Sequence, residues 1–279
     1  MTKKALVVGG GGLRGAYGAG VMATLARELG PNYFDAVYGS SVGVYAATFF
    51  LANQPGVIER TWRNLVHGKQ LVNFANPLIG RQILDLEYLV GLFQDNRSLL
   101  DVEAVMKSRT KLVYTVTKYP TGKPAYIQPT RKNIFDAMRA SSAIPLVHSP
   151  IEVNGSTFVD GGLTSNLPVI KALEDGNEEI IVVYSKPPGF TSGPPSRLKR
   201  SILNLLLPPG IARLLKEHHW QEEELDRILE TNKKLKILRP TTELPLNSRL
   251  DTNKKRINAS IDRGIKDAKD FLEKYERVE

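Results

Sequence analysis

Five residues, Gly39-Ser40-Ser41-Val42-Gly43, constrain this chain more than any other stretch. They follow an apolar, strand-like run, Phe34-Asp35-Ala36-Val37-Tyr38, and lead into an uncharged apolar segment of helical character. A chain that passes from strand to helix in so few residues must turn sharply. The Gly-x-Ser-x-Gly pattern allows this: its glycines let strand and helix pack without Cβ clashes, and its serine is held in a strained turn with the hydroxyl exposed. At the start of a helix that hydroxyl also lies where the dipole favours developing negative charge. The bland alternative is an ordinary Gly/Ser turn.

A second strand–loop–helix unit opens the chain. Ala5-Leu6-Val7-Val8 reads as a buried strand, followed by Gly9-Gly10-Gly11-Gly12-Leu13-Arg14-Gly15 and a small-residue helix. Backbone N–H groups in such a loop can converge on an anion because no side chain blocks the approach. Beside Ser41 they would form an oxyanion hole, where a single donor contributes about 3–4 kcal/mol. The same glycines match the dinucleotide pattern G-x-G-x-x-G, which needs an acidic residue at the end of the second strand. Asp35 begins that strand instead, and no Lys-Ser or Lys-Thr follows the glycines as a phosphate-binding Walker loop requires. A third element, Asp160-Gly161-Gly162, follows a run in which Asn154-Gly155 signals a tight hairpin, so Asp160 is expected at a strand end. Alone it would read as a plain Asp-Gly turn.

Together the three elements resemble the patatin-like phospholipase family. That family places a Gly-Gly-Gly-x-Arg/Lys-Gly loop, a Gly-x-Ser-x-Gly elbow and an Asp-Gly-Gly/Ala motif in this order. Its Ala-Ser-x-Ala-x-Pro signature is matched by Ala140-Ser141-Ser142-Ala143-Ile144-Pro145, and the resemblance covers roughly residues 4–185. It implies a serine acyl hydrolase working through a Ser–Asp dyad, with lipid carboxylic esters (phospholipid or lysophospholipid) as substrates and neither metal nor cofactor. Ser41 would be the nucleophile and Asp160 its base. The N–H groups of Gly11 and Gly12 would hold the oxyanion, Gly10 would shape the turn, and Arg14, Gly15, Gly39, Gly43, Gly161 and Gly162 would support the motifs. A free Asp is a feeble base, with a pKa of about 3.9, so the dyad needs a dry pocket to raise its basicity. Two positions depart from the family pattern: His148 stands where an aromatic is usual, and Val44 replaces a usual Ala. Arg14 would support the loop electrostatically or form a surface ion pair.

A Ser-His-Asp triad is the rival mechanism. The order Ser41, Asp160, His218/His219 matches α/β-hydrolases. That fold, however, lays down several strands before its elbow, and here one strand precedes the elbow strand. His218-His219 also falls in a helical stretch, where a solvated or interfacial pair is the ordinary outcome. The competing functions are a general carboxylesterase and a membrane-associated lipid-binding protein with a non-productive site.

Along the chain, strand-like runs at 6–8, 34–38, 112–117, 125–128, 156–159, 180–184 and 235–238 alternate with helical patterns at 15–29, 42–52, 55–66, 85–93, 101–109, 132–140 and 167–175. The expected fold is α/β, with a mainly parallel central sheet sandwiched by helices. Asn166-Leu167-Pro168 reads as a helix start with an Asn cap. Residues 187–195, Pro-Pro-Gly-Phe-Thr-Ser-Gly-Pro-Pro, mark a linker between a catalytic domain, 1–186, and a mostly helical extension, 196–279, packed on it. The extension carries helices near 196–207 and 211–231 and a last helix whose Ile257, Ile261, Ile265, Ala268, Leu272 and Tyr275 form a core-facing stripe. Leu203, Leu205, Leu206 and Leu207 are expected to be buried, with a lid over the acyl pocket formed by 198–215 as the alternative.

The chain has no cysteine, which excludes disulfides and thiolate metal sites. Residues 36–58 are uncharged, but the apolar part after the elbow is too short to span a bilayer, and no secretory apolar segment opens the chain. A cytoplasmic protein is expected, at most peripheral to a membrane. The formal net charge is +9: residues 1–185 hold 18 basic against 15 acidic side chains, and 186–279 hold 20 against 14. The densest clusters, Lys233-Lys234-x-Lys236 and Lys254-Lys255-Arg256, suit either transient contact with an anionic membrane or solvated helix faces. No nucleic-acid-binding motif accompanies them, so nucleic acid is discounted as a partner.

Overall fold

The apolar runs pair into one eight-stranded mixed sheet in the computed structural model, which describes residues 2–276. The outer ends of the expected segments 1–186 and 196–279, Met1 and 277–279, lie outside the described residues. In chain order the strands are β1 (Lys4–Val8), β2 (Ala36–Ser40), β3 (Lys111–Lys118), β4 (Pro124–Ile127), β5 (Ile151–Val153), β6 (Ser156–Asp160), β7 (Glu179–Val183) and β8 (Leu235–Leu238). Parallel pairing links β3-β2-β1-β7-β8, and β4, β5 and β6 are antiparallel. β5 and β6 form the hairpin that Asn154-Gly155 signals, both turn residues adopting positive φ. The helices are α1 (Gly15–Glu28), α2 (Gly43–Leu51), α3 (Pro55–Asn64), α4 (Leu86–Gly91), α5 (Val102–Lys107), α6 (Ile134–Ser142), α7 (Gly162–Ser165), α8 (Val169–Glu174), α9 (Arg197–Leu206), α10 (Pro209–Thr231) and α11 (Lys254–Glu276).

Alternation along the strands decides which helix covers which face. Leu6, Val8, Val37, Leu112, Tyr114, Ile181 and Val183 point into one core, built with α1, α2, α6 and α11. Ala5, Val7, Ala36, Tyr38, Val113, Ile180 and Val182 point the other way, against α8 and the C-terminal half of α10. Covering both faces is what lets these strands be apolar throughout. Helix α2, directly behind the elbow, is buried at all nine positions. No helix among the described residues is long and apolar enough to cross a membrane.

Three local readings need correction. The second strand runs two residues beyond 34–38 and includes Gly39 and Ser40, because its pairing with β3 continues to Ser40. The pattern at 167–175 begins only at Val169. Asn166 ends α7 instead of capping the next helix, and Pro168 stands at that N-cap without a side-chain bond. The leucine cluster of α9 is also not buried as a group: Leu203 is 3% exposed, but Leu205 is 83% and Leu206 58% exposed.

The C-terminal segment is joined to the rest at two places. β8 extends the sheet beside β7, and α11 lies on α1 so closely that a Cβ at Gly264 would stand 2.2 Å from the Tyr17 carbonyl oxygen. From this packing we propose that 196–279 is part of one folding unit with the sheet. Ile261, fully buried on α11, supplies the test. Ile261→Ala is expected to lower global stability by about 2–4 kcal/mol, in a single urea transition seen alike by tryptophan fluorescence and circular dichroism. Two separated transitions would contradict the proposal.

Candidate active site

Backbone register on β3 brings the two motif side chains together. β4 pairs with β3 over residues 114–117, while β2 pairs over 111–115 and β6 over 116–118. Both β2 and β6 overlap the stretch held by β4, so both lie along the opposite edge of β3, end to end. β2 arrives in parallel and stops at Ser40 opposite Thr115; β6 arrives antiparallel and stops at Asp160 opposite Val116. The two strands therefore point their C-terminal ends at each other. Ser41 is the first residue past one, and Asp160 is the last of the other.

Ser41 adopts φ 52°, a left-handed conformation that costs a non-glycine residue about 1–3 kcal/mol. It is held there from two sides. Its N–H donates to Ser141 Oγ at 2.9 Å, and Ser141 Oγ donates in turn to the Thr115 carbonyl at 2.7 Å. Its hydroxyl donates to Asp160 Oδ2 at 2.7 Å. The other carboxylate oxygen, Oδ1, accepts the Gly162 N–H at 2.6 Å. Both side chains are buried, at 5% exposure. Burial pushes the Asp160 carboxyl up to about 6, against the opposing pull of the Ser41 and Gly162 hydrogen bonds and of Arg249.

The glycine loop lies against the same turn. Gly10 donates its N–H to the Asn166 carbonyl, and a Cβ there would stand 2.8 Å from Ser41 Cβ. Gly11 and Gly12 take φ 150° and 59°, and among the described residues their N–H groups have no hydrogen-bond partner. Gly12 could carry no side chain, since its Cβ would meet the Arg249 carbonyl oxygen at 2.3 Å. That same oxygen accepts the Leu13 N–H at 2.8 Å, so the segment before α11 clamps the loop. Gly11, Gly12, Ser41, Asp160 and Gly162 border one cavity of about 190 Å³. Gly15, Gly39, Gly43 and Gly161 lie outside its walls, packed against Val42, Val44, Val8 and Thr115 respectively. Arg14 stands over the Phe190 ring at 4.9 Å and forms no ion pair among the described residues. His148 bonds the Ser149 carbonyl outside the cavity wall, and Val44 is fully buried under Gly39.

The sequence reading does not place several wall residues in the site: it weighs His218 only as a triad base, Asn166 only as a helix cap, and Leu215 only within a lid. Leu215, His218, Arg249 and Leu250 all border the Ser41 cavity from the C-terminal extension, and Asn166 borders it from the end of α7. No motif marks them; only their return in space identifies them. His218 Nε2 lies 3.1 Å from both Glu222 Oε1 and Arg249 Nη2. Among the described residues neither His218 nor His219 bonds Ser41 or Asp160, so the triad arrangement is not formed. No group of three or more His, Asp or Glu side chains among the described residues is placed to hold a metal ion. A second recess opens from Ser41 on the sheet's α1/α2 side. It is narrow, about 30 Å³, and walled by Val42, Trp62, Leu71, Leu84, Leu86 and Leu89 among others.

A helix-covered mixed sheet with a strained serine elbow, a bare glycine loop and a buried carboxylate beside the serine defines a distinct class of α/β protein. The family model described as Patatin-like phospholipase matches residues 6–173, and the chain belongs to that family. It is 28% identical over 250 residues to the uncharacterized protein YjjU of Escherichia coli, covering 88% of this chain and 70% of that protein. It is 25% identical over 192 residues to a cGAMP-activated phospholipase of Pseudomonas aeruginosa, covering 62% of this chain and 56% of that one. Among solved structures, VipD from Legionella pneumophila shares the fold, with a TM-score of 0.52, 12% identity, and coverage of 98% of this chain and 67% of that chain.

The raised Asp160 pKa has a consequence for stability. An aspartate that binds its proton more tightly folded than unfolded stabilises the fold at low pH. That contribution is lost as pH rises through about 6. At pH 8 the buried charge therefore opposes folding by up to about 3 kcal/mol. Asp160→Asn keeps an acceptor for Gly162 and removes the charge. It is expected to raise the urea midpoint at pH 8, with an advantage that shrinks toward pH 4. A variant less stable than the wild type at pH 8 would show that the carboxylate is net stabilising.

Proposed function

We propose that this protein is a serine acyl hydrolase acting on lipid carboxylic esters. The observation that carries the reading is the 2.7 Å bond from Ser41 Oγ to the buried Asp160 carboxylate, beside two unengaged glycine N–H groups. Asp160 accepts the hydroxyl proton as Ser41 attacks the ester carbonyl. The Gly11 and Gly12 N–H groups receive the oxygen as it becomes an anion, a preorganised contribution of about 3–4 kcal/mol for each donor. Asp160 then delivers the proton to the leaving alcohol, and water repeats the sequence on the acyl-enzyme. The recess at Ser41 is apolar but too small to hold a fatty acyl chain, so the choice of phospholipid or lysophospholipid over the small esters of a general carboxylesterase rests on the family rather than on this recess. A fluorophosphonate probe is expected to label Ser41, with labelling abolished in Ser41→Ala and weakened in Asp160→Asn, as read by mass spectrometry. Ester hydrolysis should fall with unit slope in log kcat/KM below about pH 6, where Asp160 protonates. Activity retained by Asp160→Asn would remove its role as base.

Peripheral membrane contact is part of this reading, but the Lys233-Lys234-x-Lys236 cluster is poorly placed to make it. Lys233 and Lys234 precede β8, whose first residue pairs with Ile180, so they lie at the end of the sheet opposite the elbow. Helix α9 flanks the site and exposes Leu198, Ile202, Leu205 and Leu206 beside Arg197, Lys199 and Arg200, with no acidic residue in the helix. An apolar ridge with basic flanks suits the surface of an anionic bilayer. The wild type is expected to cosediment with vesicles rich in phosphatidylglycerol. Leu205→Asp should reduce that binding several-fold while sparing hydrolysis of a soluble short-chain ester. Equal sedimentation of both proteins would place the contact elsewhere.

A further inference from the structure

The cavity above Ser41 continues past its catalytic pair. Leu215, His218 and Arg249 border both this space and a larger recess of about 530 Å³, set between the linker, the start of α9 and α10. The charged and titratable side chains of that recess are of one kind: Lys199, His218, His219 and Arg249. Neither a carboxylate nor a Phe, Tyr or Trp ring is among its walls. The nearest acid, Glu222, is already occupied. Its oxygens accept from Lys186, His218, Arg249 and the Ser192 N–H and hydroxyl. Burial alone would raise the Glu222 carboxyl, but the His218 bond and the Lys186 charge hold it far below the usual range.

Donors in this recess are left over. Arg249 engages the protein only through Nη2, so Nε and Nη1 have no partner among the described residues. His219 is only 7% exposed, and its Nδ1 has no partner; the Nδ1 of His218 likewise has none. These two nitrogens are closed to solvent, so contact with an anion falls to Arg249 Nε and Nη1 and to Lys199, which forms no ion pair among the described residues.

We propose that this recess is a phosphoryl subsite, which holds the phosphate of an anionic glycerophospholipid while its acyl ester lies at Ser41. The proposal rests on the ester hydrolase reading and adds the head group to it. Arg249 and Lys199 pair with the phosphate oxygens, and the rings of His218 and His219 form the wall behind them. Quaternary ammonium groups are recognised by aromatic faces, which this recess lacks. The subsite therefore selects phosphoglycerol or a phosphate monoester over phosphocholine.

Two experiments test it. Wild-type kcat/KM is measured for lysophosphatidylglycerol, lysophosphatidylcholine and monoacylglycerol of one chain length, each below its critical micelle concentration. The anionic lipid is expected to be preferred about tenfold or more, and Arg249→Gln should reduce that preference over monoacylglycerol about tenfold, mainly through KM, with Lys199→Gln in the same direction. Equal kcat/KM for the three lipids, or an equal loss on all of them in Arg249→Gln, overturns the subsite. Independently, Ser41→Ala is titrated calorimetrically with lysophosphatidylglycerol and with inorganic phosphate, alone and combined with Arg249→Gln. Lipid binding weakened about tenfold by Arg249→Gln sustains the subsite even if no ester is cleaved, and then only the hydrolase reading falls. Unchanged lipid binding overturns the subsite while leaving the hydrolase reading to the kinetics. Inorganic phosphate binding as tightly as the lipid overturns the lipid source in favour of free phosphate.

Discussion

The site depends on one edge of β3, where two neighbouring strands run into each other head-on. Thr115 is opposite the last residue of β2, and Val116 is opposite the last residue of β6. A parallel and an antiparallel ladder thus end one residue apart, and Ser41 and Asp160 are brought together by main-chain pairing. Main-chain ladders resist sliding, because a one-residue slip turns every side chain to the wrong face. The end of α6 seals the junction. Ala143 and Ser141 accept the N–H groups of Asp160 and Gly161 through their carbonyls, and Ser141 Oγ holds the Ser41 N–H. The left-handed turn at Ser41 persists because its neighbours on both sides are fixed.

Placement alone would not make a carboxylate useful to a hydroxyl. Desolvation raises the affinity of Asp160 for a proton, and hydrogen bonds from Ser41 and Gly162 lower it; the balance falls at about 6. That position suits the chemistry. At neutral pH such a group is mostly ionised, yet it holds a proton far more readily than a free aspartate, which suits the proposed role of base. Further burial would leave it protonated, and further donors would return it to a weak base. No histidine is bonded to this pair: His218 borders both the Ser41 cavity and the basic recess beyond it, and His219 borders only the latter of the two.

The parts legible in the sequence were those set by local chemistry. The elbow, the bare loop and the Asp160 strand end each lie within a few residues of a glycine or a hairpin signal, so their local shape follows from their neighbours. The unbroken apolar run of β1 and the stripe of α11 gave the layers for the same reason. Long-range pairing was not legible. Nothing near Ser40 indicates that β2 continues two residues past Tyr38, because pairing with β3 decides it. Asn166 has the composition of a helix cap, but its carbonyl is taken by Gly10 and its side chain is packed against the glycine loop. Leu205 and Leu206 read as core by composition; the structure leaves them exposed, since only the Leu203 side of α9 meets the protein.

Arg249 shows most clearly why the matched segment is not the whole site. The family match ends at residue 173, and both motif side chains lie inside it. Yet the Leu13 N–H, at the turn of the glycine loop, is bonded by the Arg249 carbonyl, and the cavity over Ser41 is closed by Leu215, His218, Arg249 and Leu250. The buried Lys186–Glu222 pair ties the end of β7 to α10, so the wall carrying His218 is anchored to the strand next to β1. Removing one partner of such a pair leaves a charge buried without compensation, a cost of about 3–5 kcal/mol. The extension is therefore held to the sheet by an interaction that neither half can satisfy alone. Ser41 and Asp160 are set in place by the matched segment, whereas the C-terminal extension walls the cavity over them and lines its outer recess with basic side chains.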